Sequence, residues 1–379
     1  MSYGKAAPVF LGFFIMGFVD VVGISTNYAK VDYGLKDSMA NLLPMMVFIW
    51  FALFSLPTSL MMNRIGRRKT VLAGMGITCI ALTIPYFIRG FPTLLACFTG
   101  IGIGNTILQV ALNPLLANVV PVRRLTPALT GGQLIKALAS FLGPLVAGLA
   151  AAQAGNWRLI FPLFGCITLL NGSWLWATRI TELPSEGPSS TWMDCLALFK
   201  KPAITGLFIG VVCIVGLDVG LNTTIPKFLM QRCGLPLDKA GLGTSLYFIA
   251  RTAGSLFGVF LLARTKGPAV FLVSTAAGIA GILGLLLQSN LPGLCISIVV
   301  LGLAVANIFP ILFSTALQKA PGKENEVSGL LIMGVSGGAL LLPIMGLLAD
   351  GMGQAGAIGF LLLAWGYLGG LGVRMGRMG

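Results

Sequence analysis

Four charged side chains stand inside long apolar runs: Asp20, Lys136, Asp218 and Arg251. A charge at mid-bilayer costs at least ~2.5–3.5 kcal/mol, so each needs a partner or a wet cavity. Polar neighbours extend these points into stripes. Asp20 and Asn27 are seven residues apart, Asp218 and Asn222 four, Gln109 and Asn113 four, and Gln133 and Lys136 three. Those spacings put each pair on one helix face. Asn307 is a further amide in an apolar run. In a solvated cavity a carboxylate can exchange protons while amides and cations hold a polar solute. The residues alone leave another reading open, in which Asp20–Lys136 and Asp218–Arg251 are ion pairs that fix packing and the amides are interhelical glue.

The elements that must position these residues follow from composition. Of 379 residues, 9% are charged and 56% hydrophobic, with 51 glycines besides, whereas soluble globular chains carry roughly 25% charge. So few charges cannot cover a chain of this size against water, and lipid must do so. This excludes a soluble enzyme, a disordered chain and a disulfide scaffold. The net charge of +14 does not indicate nucleic acid, because the basic residues fall in short clusters between apolar runs. There is no histidine, and the seven cysteines are scattered without a CxxC pair. No metal, cofactor or disulfide framework is expected. An integral-membrane enzyme would need a nucleophile–base pair or a metal cluster, and neither is present.

A bilayer core about 30 Å thick takes roughly 20 apolar residues in a helix. Twelve segments qualify, at about 7–29, 39–62, 70–88, 93–119, 127–153, 159–178, 203–226, 240–263, 268–288, 292–317, 327–349 and 354–373. The first is too long for a signal peptide and lacks a small-residue cleavage site, so it reads as a true span. With the N-terminus inside, sixteen Lys and Arg lie in inner loops and tails and seven in outer loops. The positive-inside rule then places both termini in the cytoplasm. The fold expected is all-α and polytopic, in a membrane that suits a bacterial cytoplasmic membrane.

The chain also repeats. Asp20-Val-Val-Gly-Ile-Ser-Thr-Asn27, leading to Lys30, is echoed by Asp218-Val-Gly-Leu-Asn222-Thr-Thr, leading to Lys227. Both runs continue to a Gly-Leu and an Asp, at Gly34-Leu35 with Asp37 and Gly234-Leu235 with Asp238. Asn113-Pro114 in the fourth segment answers Asn307 and Pro310 in the tenth. These echoes divide the chain into a six-helix bundle over 1–178, a linker over 179–202 and a second bundle over 203–379. The linker begins Pro/Ser/Gly-rich and ends, over 191–201, in a run that suits a short amphipathic helix at the interface.

Six spans duplicated in the same orientation is the architecture of major facilitator transporters. Ser59-Leu-Met-Met-Asn63-Arg64-Ile-Gly66-Arg67-Arg68 resembles their loop signature, G-x-x-x-D-R-x-G-R-R. Ser59 stands for its glycine and Asn63 for its acid, so this clamp reads as having lost its negative partner. Arg64, Gly66, Arg67 and Arg68 are the retained part. Within the superfamily, three runs resemble the fucose/glucose/galactose permease group. They are Gly102-Ile-Gly104 with Gln109-Val-Ala-Leu-Asn113-Pro114, then Gly302 to Pro310, then Ser328 to Asp350.

That resemblance implies twelve helices in two bundles and proton-coupled import of neutral sugars, by acids in the first and fourth spans. Asp20 matches the first acid. The fourth-span position falls on Gln109, which cannot titrate. Gln133 matches, and the fifth-span asparagine associated with sugar falls on Lys136. Both departures move the cavity toward positive charge. The expected function is a monomeric secondary carrier of a sugar or related polar solute, coupled to protons through Asp20 and working by alternating access. Asn27, Gln109, Asn113, Gln133, Lys136, Asp218, Asn222, Arg251 and Asn307 are its candidate solute contacts, and Trp50, Tyr247 and Phe309 its candidate stacking aromatics. The alternatives are an anionic solute, such as a sugar acid, held by Lys136 and Arg251, a multidrug exporter, and a nutrient sensor or channel on the same fold.

Overall fold

In the computed structural model, which describes residues 3–35, 39, 42–182, 191–235 and 237–378, every regular element among the described residues is helical. Lys36, Asp37 and residues 183–190 lie outside these, as do the side chains of Asn27, Lys30, Asp238 and Lys239. The helices are α1 (Tyr3–Met16), α2 (Val21–Asp32), α3 (Leu42–Ile65), α4 (Arg67–Phe87), α5 (Phe91–Val119), α6 (Leu125–Ala154), α7 (Ile160–Ala177) and the short α8 (Trp192–Ala197). There follow α9 (Pro202–Cys233), α10 (Leu237–Arg264), α11 (Gly267–Leu287), α12 (Leu291–Val305), α13 (Ile308–Lys319), α14 (Glu324–Met333) and α15 (Gly338–Met378), the last bent at Gly353 with φ 71°.

Among the described residues eleven helices are long and apolar enough to cross a membrane. The remaining expected segment, 327–349, is not one straight helix. It runs as α14, a 3₁₀ turn over Gly334–Gly337 and the start of α15. Two other spans are also broken. The first interrupts α1 and α2 with the 3₁₀ turn Gly17–Asp20, and the tenth turns at Ala306 and Asn307, between α12 and α13. Pro310 contributes to the second break, since it lacks the N–H that would close the turn behind it.

The chain forms two compact units, Met1–Leu125 with Gly132–Leu198 and Ala320–Met333, and Thr126–Gly131 with Phe199–Lys319 and Gly334–Gly379. In the first, α5 packs on α3 and α4, and α7 on α1 and α4. The second repeats this span for span, with α12 on α10 and α11, and α15 on α9 and α11.

Glycine makes the shared packing possible. A Cβ on Gly102 of α5 would meet Val47 Cα and Trp50 Cδ1, both at 2.9 Å, and one on Gly302 of α12 would meet the Tyr247 carbonyl of α10 at 2.6 Å. The two units therefore hold the fourth and tenth spans against the second and eighth by the same close backbone approach.

Candidate functional site

Asp20 ends the 3₁₀ turn of the first span and is exposed. The break has sequence causes. A Cβ on Gly17 would lie 2.5 Å from the Lys136 carbonyl of α6, so only glycine lets the turn approach there. Met16, just before the turn, presents its carbonyl to Asn105 Nδ2 at 2.9 Å. The Ser140 hydroxyl of α6 makes a short hydrogen bond to Asp20 Oδ2 and also lies 3.0 Å from the Lys136 carbonyl. A hydroxyl has one proton to give, so Ser140 serves one of these acceptors at a time. Lys136, one turn before Ser140, and Gln133 are both half-buried on α6.

Gln109 and Asn113 belong to a buried amide ladder along α5. Gln109 Nε2 donates to Asn105 Oδ1 at 3.1 Å, and Asn113 Nδ2 donates to the Gln109 carbonyl at 2.7 Å. Since Asn105 also holds Met16, the ladder ties α5 to the break that carries Asp20. Asn113 Oδ1 is buried without a hydrogen-bond partner.

In the second unit, the repeat-related acid sits differently. Asp218 Oδ2 pairs with Arg251 Nη1 at 2.7 Å, and Asp218 Oδ1 accepts from the Tyr247 hydroxyl at 2.7 Å. Tyr247 is fully buried, and Tyr247 and Arg251 are one helical turn apart on α10. The side chains of Arg251 and Asp218 keep 38% and 21% of their surface, so the clamp is partly solvated. Asn222 lies one turn after Asp218, half-buried. Asn307, at the tenth-span break, donates Nδ2 to the Gly254 carbonyl at 3.0 Å, and its Oδ1 is buried without a partner.

The loop-signature residues form a network within the first unit. Arg67 is only 3% exposed. Its guanidinium donates to Asn325 Oδ1 at 2.7 Å, Asn118 Oδ1 at 2.9 Å, the Pro114 carbonyl at 3.4 Å and the Glu324 carboxylate at 3.1 Å. Asn63 Nδ2 donates to Glu326 Oε1, and Asn63 Oδ1 accepts from Asn325 Nδ2, both at 2.6 Å. The expectation that this clamp lacks a negative partner is therefore corrected: α14 supplies two carboxylates.

A third acid caps α4. Glu182 accepts the backbone N–H groups of Arg67 and Arg68 at 2.6 and 2.9 Å, where a helix N-terminus favours an anion. Gly66, at φ 89°, leaves room for it, since a Cβ there would lie 2.9 Å from Glu182 Oε2. Arg68 donates to the carbonyls of Leu175 and Trp176, and Arg64 is exposed.

Trp50 packs on Phe54 and Gly102, and Phe309 on Phe313, so neither aromatic stands clear of its neighbours. Among the described residues no group of three His, Cys, Asp or Glu side chains is placed to hold a metal.

Sequence reasoning missed Ser140, Asn105, Glu182 and the Glu324-Asn325-Glu326 run as working parts. Two carried a signal. Ser140 follows Lys136 by four residues, and Asn105 extends the Gln109–Asn113 stripe by one more turn. Tyr247, a candidate stacking aromatic by sequence, reaches Asp218 through its hydroxyl.

Comparison with known proteins accords with this architecture. The family model described as Major Facilitator Superfamily matches residues 9–343. A probable sugar efflux transporter of Helicobacter acinonychis is 26% identical over 358 residues, covering 91% of this chain and 89% of that protein. A glucose/galactose transporter of Brucella abortus is 23% identical over 376 residues, covering 93% and 89%. The crystal structure of the E. coli fucose:proton symporter superposes with a TM-score of 0.85 at 14% identity, over 97% of each chain. With a family model spanning most of its length and a fold that agrees, the chain belongs to the Major Facilitator Superfamily of membrane carriers.

Proposed function

We propose that the chain is a proton-coupled carrier of a sugar-class solute, working by alternating access, with Asp20 as the coupling carboxylate. The observation that carries this reading is the contrast between the two repeat-related acids. Asp218 is held by a cation and a tyrosine hydroxyl, and protonating it would forfeit an ion pair. Asp20 is exposed and bonded by a neutral hydroxyl that has a second acceptor within reach.

The proton logic follows from that geometry. When Asp20 is ionised, Ser140 gives its proton to the carboxylate. When Asp20 takes up a proton, its own O–H can donate to Ser140 Oγ, and the serine proton turns to the Lys136 carbonyl. Both states are hydrogen-bonded, so loading and unloading a proton leaves no orphaned donor. The amide ladder, ending at the Met16 carbonyl beside the same break, ties the candidate solute contacts Gln109 and Asn113 to the proton site. The names of the sugar transporters and of the fucose:proton symporter to which the chain is similar support the solute class and the coupling ion. The excess of basic residues in alternate loops supports termini in the cytoplasm.

The test is uptake by proteoliposomes under an imposed pH gradient. Asp20→Asn should abolish gradient-driven accumulation and leave counterflow exchange intact. Accumulation unchanged in the variant would sink the assignment.

A second reading rests on Arg251, which stays more than one-third exposed while paired. On this reading an anionic solute, such as a sugar acid, engages the guanidinium beside Asp218. A thermal-shift panel of neutral sugars against sugar acids separates the two readings.

A further inference from the structure

Helix α8 has two unlike faces. Cys195 and Leu198 are buried, with Cys195 Sγ 3.6 Å from Ser59 Oγ, and α8 packs against α3 and α14. On the other face Trp192, Met193 and Leu196 remain 50%, 74% and 42% exposed. The segment is held helical by a capping box, in which the Asp194 N–H donates to Thr191 Oγ1 and the Thr191 N–H donates to the Asp194 carboxylate. The chain runs on through the 3₁₀ turn Leu198–Lys200 to Lys201, and both lysines are exposed. At the end of α7, just before the linker, Trp174 and Trp176 are also exposed and are followed by the exposed Arg179.

An apolar face bearing an indole, continued by two adjacent lysines, is the pattern of a segment lying in the headgroup layer. Water is a poor neighbour for this face, and a zwitterionic leaflet offers the lysines phosphates but no net negative surface potential. We propose that the segment from Trp192 to Lys201 is a binding surface for anionic lipid headgroups. Trp192, Met193 and Leu196 rest at the acyl boundary, and Lys200 and Lys201 meet the headgroup phosphates.

The surface has a mechanical consequence. Its buried face rests on Ser59 and on α14, whose first turn carries Glu324, Asn325 and Glu326. A leaflet that holds α8 therefore favours the state in which those residues engage Asn63 and Arg67. The inference stands apart from the solute and coupling ion, since it concerns only the bilayer and this segment.

The experiment places the full chain in nanodiscs of phosphatidylcholine, with or without one-third phosphatidylglycerol, and measures hydrogen exchange of amides 191–201. Exchange should slow by about thirtyfold in the anionic discs, from two lysines near the charged surface. The exposed double substitution Lys200→Gln/Lys201→Gln should abolish that slowing and leave exchange in α11 unchanged. A second variant, Trp192→Ser/Met193→Ser, should weaken the slowing through the apolar face alone. Equal exchange in the two bilayers overturns the proposal. So does slowing that survives both substitutions, or equal slowing by inorganic phosphate added to phosphatidylcholine discs.

Discussion

The serine at position 140 is a small group with a large stake in the proposed coupling site at Asp20. Its hydroxyl is the partner of an exposed carboxylate, and hydrogen bonds to charged groups contribute about 1.5–3 kcal/mol. Ser140→Ala should therefore reduce gradient-driven accumulation by roughly ten- to a hundred-fold, while counterflow changes less. Ser140→Thr, which keeps the hydroxyl, should restore most of the loss. A variant Ser140→Ala with normal accumulation would remove the serine from the mechanism.

Asn63 supports a prediction opposite to the one its resemblance suggests. The superfamily signature has an acid at this position, yet here Asn63 must donate to Glu326 and accept from Asn325. Asn63→Asp would remove the donor and set two carboxylates side by side. It should lower stability by roughly 2–3 kcal/mol, seen as a melting temperature several degrees lower. A variant as stable as the parent would contradict the network. The sequence made Asn63 and Arg67 visible as a motif, because their spacing is local. Glu324 and Glu326 are more than 250 residues away, and one sequence has no means of pairing them.

At the scale of elements, α8 was legible as an amphipathic run but not as a packed helix. Its cap makes its order depend on pH. The Thr191 backbone N–H and then its hydroxyl hold the Asp194 carboxyl below the usual carboxylate range, helped by Lys323. A group depressed in the folded state contributes stability above its unfolded pKa and loses it as pH falls through the folded value. The protection factors of the α8 amides, corrected for the intrinsic pH dependence of exchange, should therefore fall once pH drops below the ordinary aspartate range, and Asp194→Asn should remove most of that dependence. The same packing buries Cys195 against Ser59. Arg67→Ala, which leaves a buried network without its cation, should raise maleimide labelling of Cys195 as α14 loosens, read by mass spectrometry at that cysteine. The breaks in the spans were less legible than the spans. Apolar runs announce helices, but the turn at Gly17–Asp20 depends on the Lys136 carbonyl and Asn105, which belong to other helices.

For the whole molecule, composition and repetition carried most of the fold. A chain with so few charges has one solvent it can live in, and the echo around Asp20 and Asp218 is the mark of a duplicated half-chain. Repetition did not reveal that the two acids have different neighbours, because Ser140 and Tyr247 belong to non-equivalent spans. Orientation is a prediction at this scale. Tags on both termini should be cleaved by protease added to inside-out vesicles and spared in right-side-out ones. The amide ladder along α5 bears on energetics beyond the site itself. On the reading that Asp20 couples transport, Gln109 holds no proton where a second acid would have held one, so the stoichiometry is one proton per cycle. A one-for-one carrier of a neutral solute has a thermodynamic ceiling of about tenfold accumulation per 59 mV of driving force. On that reading the same ladder that fixes the first span would cap how steep a gradient the cell can build through this protein, each solute molecule crossing with a single proton.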